Sequence, residues 1–163
     1  MKNKNILNIV LFQPEIPHNT GAVGRTCVAL GAKLWLIRPL GFRITDKNLR
    51  RAGLDYWKFL EWEILDDWDA LLAKLPDTSR YFFFTKTATC PYIKATFSPG
   101  DTFIFGSESN GLPPSLLEKY AAQRLRIPIR QETRSLNLSV SVGIAAYEAW
   151  RQITILHENT FFP

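Results

Sequence analysis

The sequence predicts a single α/β domain built on a parallel β-sheet with helices on both faces. Three observations predict it. Short apolar runs alternate with segments of helical spacing along the whole chain. The 163 residues, 46% of them hydrophobic, are enough to bury a substantial core. No internal repeat, low-complexity tract or linker divides them.

Ile6 to Phe12 is an apolar run ended by Pro14 and Pro17, the pattern of a buried strand. Thr20 is the expected cap of a helix through Arg25 to Leu30, with Gly31 as its stop signal. Leu34 to Ile37 is a second strand, followed by a Pro39–Gly41 turn and a short polar helix or turn over Asp46 to Arg51. Trp62 to Leu65 is a third strand. Asp66 or Asp67 then caps a helix carrying Trp68, Leu71, Leu72 and Leu75 at amphipathic spacing. Tyr81 to Phe84 and Thr102 to Phe105 are further strands. Leu112 to Tyr120 suits a helix whose first turn tolerates Pro113 and Pro114. Leu125 to Ile129 reads as the last strand and Leu136 to Ile155 as a long final helix. The domain is expected to span 1–156, with 157–163, including Phe161 and Phe162, as a tail.

A formal charge of +5 and a pI of about 9.4 favour a polyanionic partner. Cys27 and Cys90 are too few for a disulfide scaffold, which fits a reduced, cytoplasmic chain. The first residues read as a strand rather than a signal peptide, and no run is long enough to cross a membrane. Cysteines and histidines are too scattered for a structural metal site. No G-x-G-x-x-G, Walker A or G-x-S-x-G sequence occurs, so the usual dinucleotide, triphosphate and serine-hydrolase sites lack their parts.

Ligand loops of a parallel sheet gather beyond the carboxyl ends of its strands. Three polar or glycine-rich segments follow apolar strands here: Asn19 to Arg25, Gly106 to Pro113, and Ile127 to Ser139. Extended to NTGAVGRTCVALG (Asn19 to Gly31), FGSESNGLP (Phe105 to Pro113) and IPIRQETRSLNLSVSVGIAAYEAW (Ile127 to Trp150), they resemble in order and wording the three motifs of the SPOUT class of RNA methyltransferases. LRRAGLDYW (Leu49 to Trp57) narrows the resemblance to the small family that methylates the ribose 2′-oxygen at the wobble position of transfer RNA. Methylation of another RNA ribose and a noncatalytic RNA-binding module remain the alternatives.

The resemblance implies a trefoil-knotted α/β fold, a homodimer whose sites are completed across subunits, and a transfer RNA anticodon stem-loop as partner. It also implies S-adenosyl-L-methionine as cofactor, with no metal and no membrane association. Carried onto this chain, main-chain groups at Phe83 to Lys86, Gly106, Gly111, Ile127 to Ile129 and Ser135 to Leu138 would hold the cofactor. Ile127 and Leu136 would sandwich the adenine, while Ser135 orders the loop or caps the final helix. Gly106 and Gly111 would allow the ligand a close backbone approach.

A sulfonium methyl is already electrophilic, so the chemical demand falls on the ribose hydroxyl and on in-line placement. Arg25 is the foremost active-site residue the resemblance implies, as a grip on the target nucleotide, since a guanidinium keeps its proton. Asn19, Glu108 and Asn137 complete the constellation, with Ser139 beside them. Close relatives read P-E-T-R-G where this chain has Ser107 to Gly111, so Asn110 stands in place of an arginine.

Arg38, Arg43, Lys47, Arg50, Arg51 and Lys58, interleaved with Phe42, Tyr56 and Trp57, form one candidate RNA surface. Arg124, Arg126, Arg130 and Arg134 form a second. The broad apolar belt of the final helix suits burial on the sheet, against a partner subunit, or both.

Overall fold

The structure, a computed structural model, describes residues 5–44 and 55–156. Within them six strands form one sheet: β1 (Leu7–Phe12), β2 (Lys33–Ile37), β3 (Trp62–Leu65), β4 (Tyr81–Phe84), β5 (Asp101–Phe105) and β6 (Arg124–Leu125). Their order is β3-β2-β1-β5-β4-β6 and every pairing is parallel. Helices α1 (Pro17–Leu30), α2 (Trp68–Lys74), α3 (Pro114–Lys119) and α4 (Leu138–Leu156) cover it. The expected polar element at Asp46 to Arg51 and the tail at 157–163 lie outside the described residues.

Two cores follow from the two-residue period of the strands. Leu7, Ile9 and Leu11 of β1 and Leu34 and Leu36 of β2 face α1 and α4, which bury Val23, Cys27 and Leu30 against Val142, Ala145 and Ala149. The small alanines let the two helices lie close together. Burial there pushes the Cys27 thiol well above its ordinary pKa, so it is a packing residue. On the other face Val10, Ile37, Tyr81, Phe83 and Ile104 meet Leu71 of α2 and Leu116 and Leu117 of α3. Trp68 centres an aromatic group of Phe12, Tyr81, Phe83 and Tyr120.

The alternation and the third strand stand as read from the sequence, while several boundaries move. Helix α1 starts at Pro17, so Thr20 is a buried residue of its first turns and not its cap; Ile16, at the cap position, offers no side-chain acceptor. Asp67, not Asp66, caps α2, accepting a hydrogen bond from Ala70 N at 2.8 Å. The last strand stops at Leu125 instead of Ile129. Arg126 turns to the 85–100 connection, where its amide donates to Cys90 O and its carbonyl accepts from Tyr92 N. Helix α4 begins at Leu138, two residues late, because Asn137 is its cap.

Asp101, 1% exposed at the start of β5, accepts from Arg80 Nε at 2.8 Å, Arg80 Nη2 at 2.6 Å and Ser98 N at 2.8 Å. That partner holds the Arg80 guanidinium above its already high pKa. Removing one member of such a pair leaves a buried charge uncompensated. Because the Arg80 side chain is partly exposed and Asp101 keeps Ser98 N, Arg80→Ala is expected to lower the unfolding free energy by about 1–3 kcal/mol in urea titrations; an unchanged midpoint would show that water compensates Asp101.

Candidate active site

Strand register decides where the loops leave the sheet. Leu11 of β1, Phe105 of β5, Phe84 of β4 and Leu125 of β6 are successive cross-strand partners, so the segments after all four strands depart from one row. Beyond that row lies an open cleft of about 800 Å³. Phe84 and Phe105 line it as a stacked pair, with centroids 4.7 Å apart and planes at 11°. The remaining walls come from Ile16 and Asn19, residues 85–87, residues 106–112, Ile127 and Ile129, and residues 134–138.

The 106–112 segment folds back on itself. Gly111 N donates to Ser107 O at 2.9 Å, and Gly111 sits in the left-handed region at φ 68°. The backbone of Gly111 and Leu112 crosses directly over Gly106, where a Cβ would stand 2.0 Å from Gly111 C and 2.2 Å from Leu112 N. The sequence assigns Gly106 to ligand approach. The structure corrects this: what approaches is the loop's own return strand.

Three segments are tied together by a chain of side chains. The Glu108 carboxylate accepts from Glu15 N (2.7 Å), Ile16 N (3.1 Å) and Asn19 Nδ2 (3.1 Å), and so caps α1 from 92 residues away. Asn19 Oδ1 accepts from Asn137 Nδ2 at 2.9 Å. Asn137 Oδ1 in turn accepts from Ser139 N at 2.9 Å, Ser139 Oγ at 2.7 Å and Val140 N at 3.4 Å, capping α4. Glu15 completes a reciprocal clasp, its carboxylate accepting from Ser109 N at 2.9 Å and from Ser109 Oγ. With three donors from two segments, Glu108 positions loops.

Of the residues singled out in the sequence, Asn19, Glu108, Asn137, Gly106, Gly111, Ile127, Ser135 and Leu136 line the cleft. Ser135 caps nothing; that role falls to Asn137. Three others, Ser139, Phe83 and Arg25, are not among its lining side chains. Phe83 is fully buried in the opposite core, stacked on Tyr120 at 4.6 Å, because its side chain alternates with that of Phe84. Arg25 lies six residues past Asn19 on α1, about 9 Å along the axis and about 120° round it. It is exposed and stacks over the Tyr56 ring at 4.8 Å, while the Tyr56 hydroxyl donates to Gly21 O. Trp57 packs edge-on to Trp62 and against Gly24, so it is a core ring and not a base-stacking platform. Lys47, Arg50 and Arg51 lie outside the described residues. Ile16 and Leu117 also line the cleft and carry no motif signal, and Ser141 lines it from within the third motif without having been singled out; Leu117 reads in sequence as an ordinary inner-face helix residue. Among the described residues no group of three or more His, Cys, Asp and Glu side chains could hold a metal ion, and no helix is long and apolar enough to cross a membrane.

Comparison with known proteins adds to this geometry. Residues 6–147 match the model of the SpoU rRNA Methylase family. The chain is 48% identical over 149 residues to a tRNA (cytidine(34)-2′-O)-methyltransferase of Burkholderia pseudomallei (strain 1106a), covering 90% of this chain and 96% of that one. It superposes with TM-score 0.86 and 45% identity on a solved structure described as structural insights into the 2-OH methylation of C/U34 on tRNA, covering 96% of this chain and all of the other. An AdoMet-bound rRNA methyltransferase from Sinorhizobium meliloti shares the fold at TM-score 0.79 and 22% identity, covering 93% of this chain and 58% of that one.

The loop geometry separates the two glycines. Gly106→Ala forces the return strand of the loop outward and is expected to cost about 1–3 kcal/mol, as overpacking does. Gly111→Ala meets open space and carries only the left-handed penalty of about 1–2 kcal/mol. Urea denaturation should rank Gly106→Ala as the worse variant, with loss of S-adenosylmethionine affinity by calorimetry; the reverse order would refute this account of the loop.

Proposed function

The chain belongs to the SpoU rRNA Methylase family, and from that membership we propose that it transfers a methyl group from S-adenosyl-L-methionine to the ribose 2′-oxygen of wobble nucleotide 34 of transfer RNA. The observation that carries this reading is that the matched span takes in the whole cleft wall, from Ile16 to Ser141.

The cleft suits such a donor. Its volume lies in the usual range for small-molecule sites, and its lining joins apolar surfaces to main-chain groups. Ile127, Ile129 and Leu117 offer apolar walls for a flat base, and the loops at 106–112 and 134–138 offer backbone donors and acceptors. When bound, the donor supplies an electrophilic methyl that needs no further activation. The protein's task is then to hold a hydroxyl in line with it and to keep both from drifting, a contribution that placement alone can make large. Glu108, Asn19 and Asn137 serve as positioning residues, fixing the two helix starts that flank the cleft.

Arg25 is not in the cleft of its own chain, which supports a site shared between two subunits. Helices α1 and α4 pack side by side, and α4 exposes Val140 and Tyr147 on the face away from the sheet, with Ile144 half-buried between them. In this reading a second copy covers that stripe and brings its own Arg25 to the target nucleotide's phosphate or ribose. In this reading, and as family membership implies, the C-terminal segment is threaded through a knot, with Arg126 paired in parallel beside Pro91 of the 85–100 connection. The enzyme would work in the cytoplasm, where its transfer RNA substrate is, with the anticodon stem-loop as its recognition element.

Labelled methyl transfer to total transfer RNA, followed by nucleoside mapping, tests the function; label absent from position 34, or present on a base, would reject it. Arg25→Ala should lower turnover by about a hundredfold or more, the scale of losing a charged transition-state contact, while calorimetric S-adenosylmethionine affinity stays intact. Unchanged turnover would remove Arg25 from the site.

A charge placed on the α4 stripe tests the assembly. Tyr147→Asp should shift the light-scattering mass from dimer to monomer and abolish transfer, with the chain still folded by circular dichroism. A wild-type chain that is monomeric at working concentration would contradict the shared site.

A further inference from the structure

Among the described residues two cations on the cleft wall have no partner. Lys86 follows β4 and Arg134 precedes the 135–138 segment; both are exposed, and neither makes a hydrogen bond or ion pair among the described residues. Among the described residues one carboxylate lines the cleft, that of Glu108, and its hydrogen bonds come from the neutral donors Glu15 N, Ile16 N and Asn19 Nδ2, so that two cations face one anion. The lining therefore carries a net positive charge. The donor proposed above is itself a net cation, since its sulfonium and ammonium outweigh one carboxylate. Like charges at short range oppose binding, more so where apolar walls lower the local dielectric.

The arrangement is coherent if the two cations answer an anion that arrives with the substrate. Phe84, Phe105, Ile127 and Leu138 make the apolar lining, whereas Lys86 and Arg134 are exposed to solvent and come from two separate segments. That is the place of groups meeting a ligand backbone from outside. A phosphodiester offers two acceptor oxygens that a guanidinium grips bidentately and an ammonium meets as a point charge. Asn110, also exposed on the wall, adds an amide but no charge.

Resting on the function proposed above, we infer that Lys86 and Arg134 clamp a backbone phosphate beside the target nucleotide, and that this phosphate makes the cleft receptive to the cationic donor. Cofactor and RNA then bind cooperatively, each raising the other's affinity by the same factor. The demethylated product, S-adenosylhomocysteine, has lost the sulfonium charge and is net neutral. Without RNA the cleft accordingly holds product better than donor, and RNA narrows that preference.

The test uses the full-length protein with Lys86→Gln, Arg134→Gln and Arg134→Lys. Binding to an anticodon stem-loop RNA is followed by fluorescence anisotropy across a salt series. Binding of S-adenosylmethionine and S-adenosylhomocysteine is followed by calorimetry with and without RNA. Each glutamine variant should weaken RNA binding about tenfold, the scale of a lost charged hydrogen bond. Each should also flatten the logarithmic salt slope, and the two together by about 0.7, the value for one single-strand phosphate. Arg134→Lys should recover the slope, and donor affinity measured without RNA should hold or rise in every variant. Wild-type donor affinity should increase about fivefold or more on adding RNA, at the lower end of ordinary coupling. A fall in donor affinity with RNA binding and slope unchanged would assign these cations to the cofactor's carboxylate and overturn the inference. Failure of the wild-type chain to bind either ligand would sink the function itself, and this inference with it. Both side chains are exposed, so thermal unfolding should stay near wild type and separate lost contacts from lost fold.

Discussion

The register of four parallel strands is the constraint on which the site depends. Because Leu11, Phe105, Phe84 and Leu125 sit in one row, the connections after β1, β5, β4 and β6 start level and can meet. The sheet reverses its winding between β1 and β5, which opens a crevice at that row. A slip of one residue in β4 would exchange its two faces. Phe83 would then enter the cleft, and Phe84 would be driven among Trp68, Tyr81 and Tyr120. Burial on both faces penalises that slip, so the packing that stabilises the sheet also fixes which phenylalanine lines the site.

On that row the loops still need holding, and the protein does it with side chains rather than with regular structure. Glu108 places a carboxylate at the positive end of α1, where the first amides have no helical acceptor. Asn137 does the same for α4 with an amide oxygen, and Asn19 joins the two. Each helix start is therefore conditional on a loop far away in sequence, and each loop on a helix start. Groups arranged in this way are ordered before a ligand arrives, which lowers the entropy lost on binding.

This reciprocity explains what the sequence could and could not reveal. The strand runs were legible because apolar burial is a local pattern; Trp62 to Leu65 needed no correction. Ten consecutive apolar or polar letters do not report that Ile16 borrows its cap from Glu108, so Thr20 looked like the start of a helix that already begins at Pro17. Leu125 to Ile129 has strand composition, yet Arg126 finds its partners in the 85–100 connection, a tertiary choice invisible to a window of neighbours. The motif residues were recognisable as a set, and most of that set does line one cleft. Strand alternation puts the Phe83 side chain in the opposite core and leaves the cleft-facing ring to Phe84. Gly106 was found for a reason that the structure replaces, since its missing side chain makes room for Leu112 N and not for a ligand.

Arg25 carries the argument furthest from the single chain. A guanidinium that grips a substrate must reach it, yet a rotation of about 120° on α1 turns this one away from the face where Asn19 meets Glu108. Its packing on Tyr56, which in turn is pinned to Gly21, holds it outward. A residue fixed in that direction serves catalysis only if the substrate lies outside its own cleft, as it would across a two-fold axis. The cleft alone would then hold a donor without the group that engages the acceptor, and the reactive arrangement would exist only when a second subunit and an RNA strand are both in place. Such a separation of parts would make transfer conditional on the partner subunit and the RNA strand together.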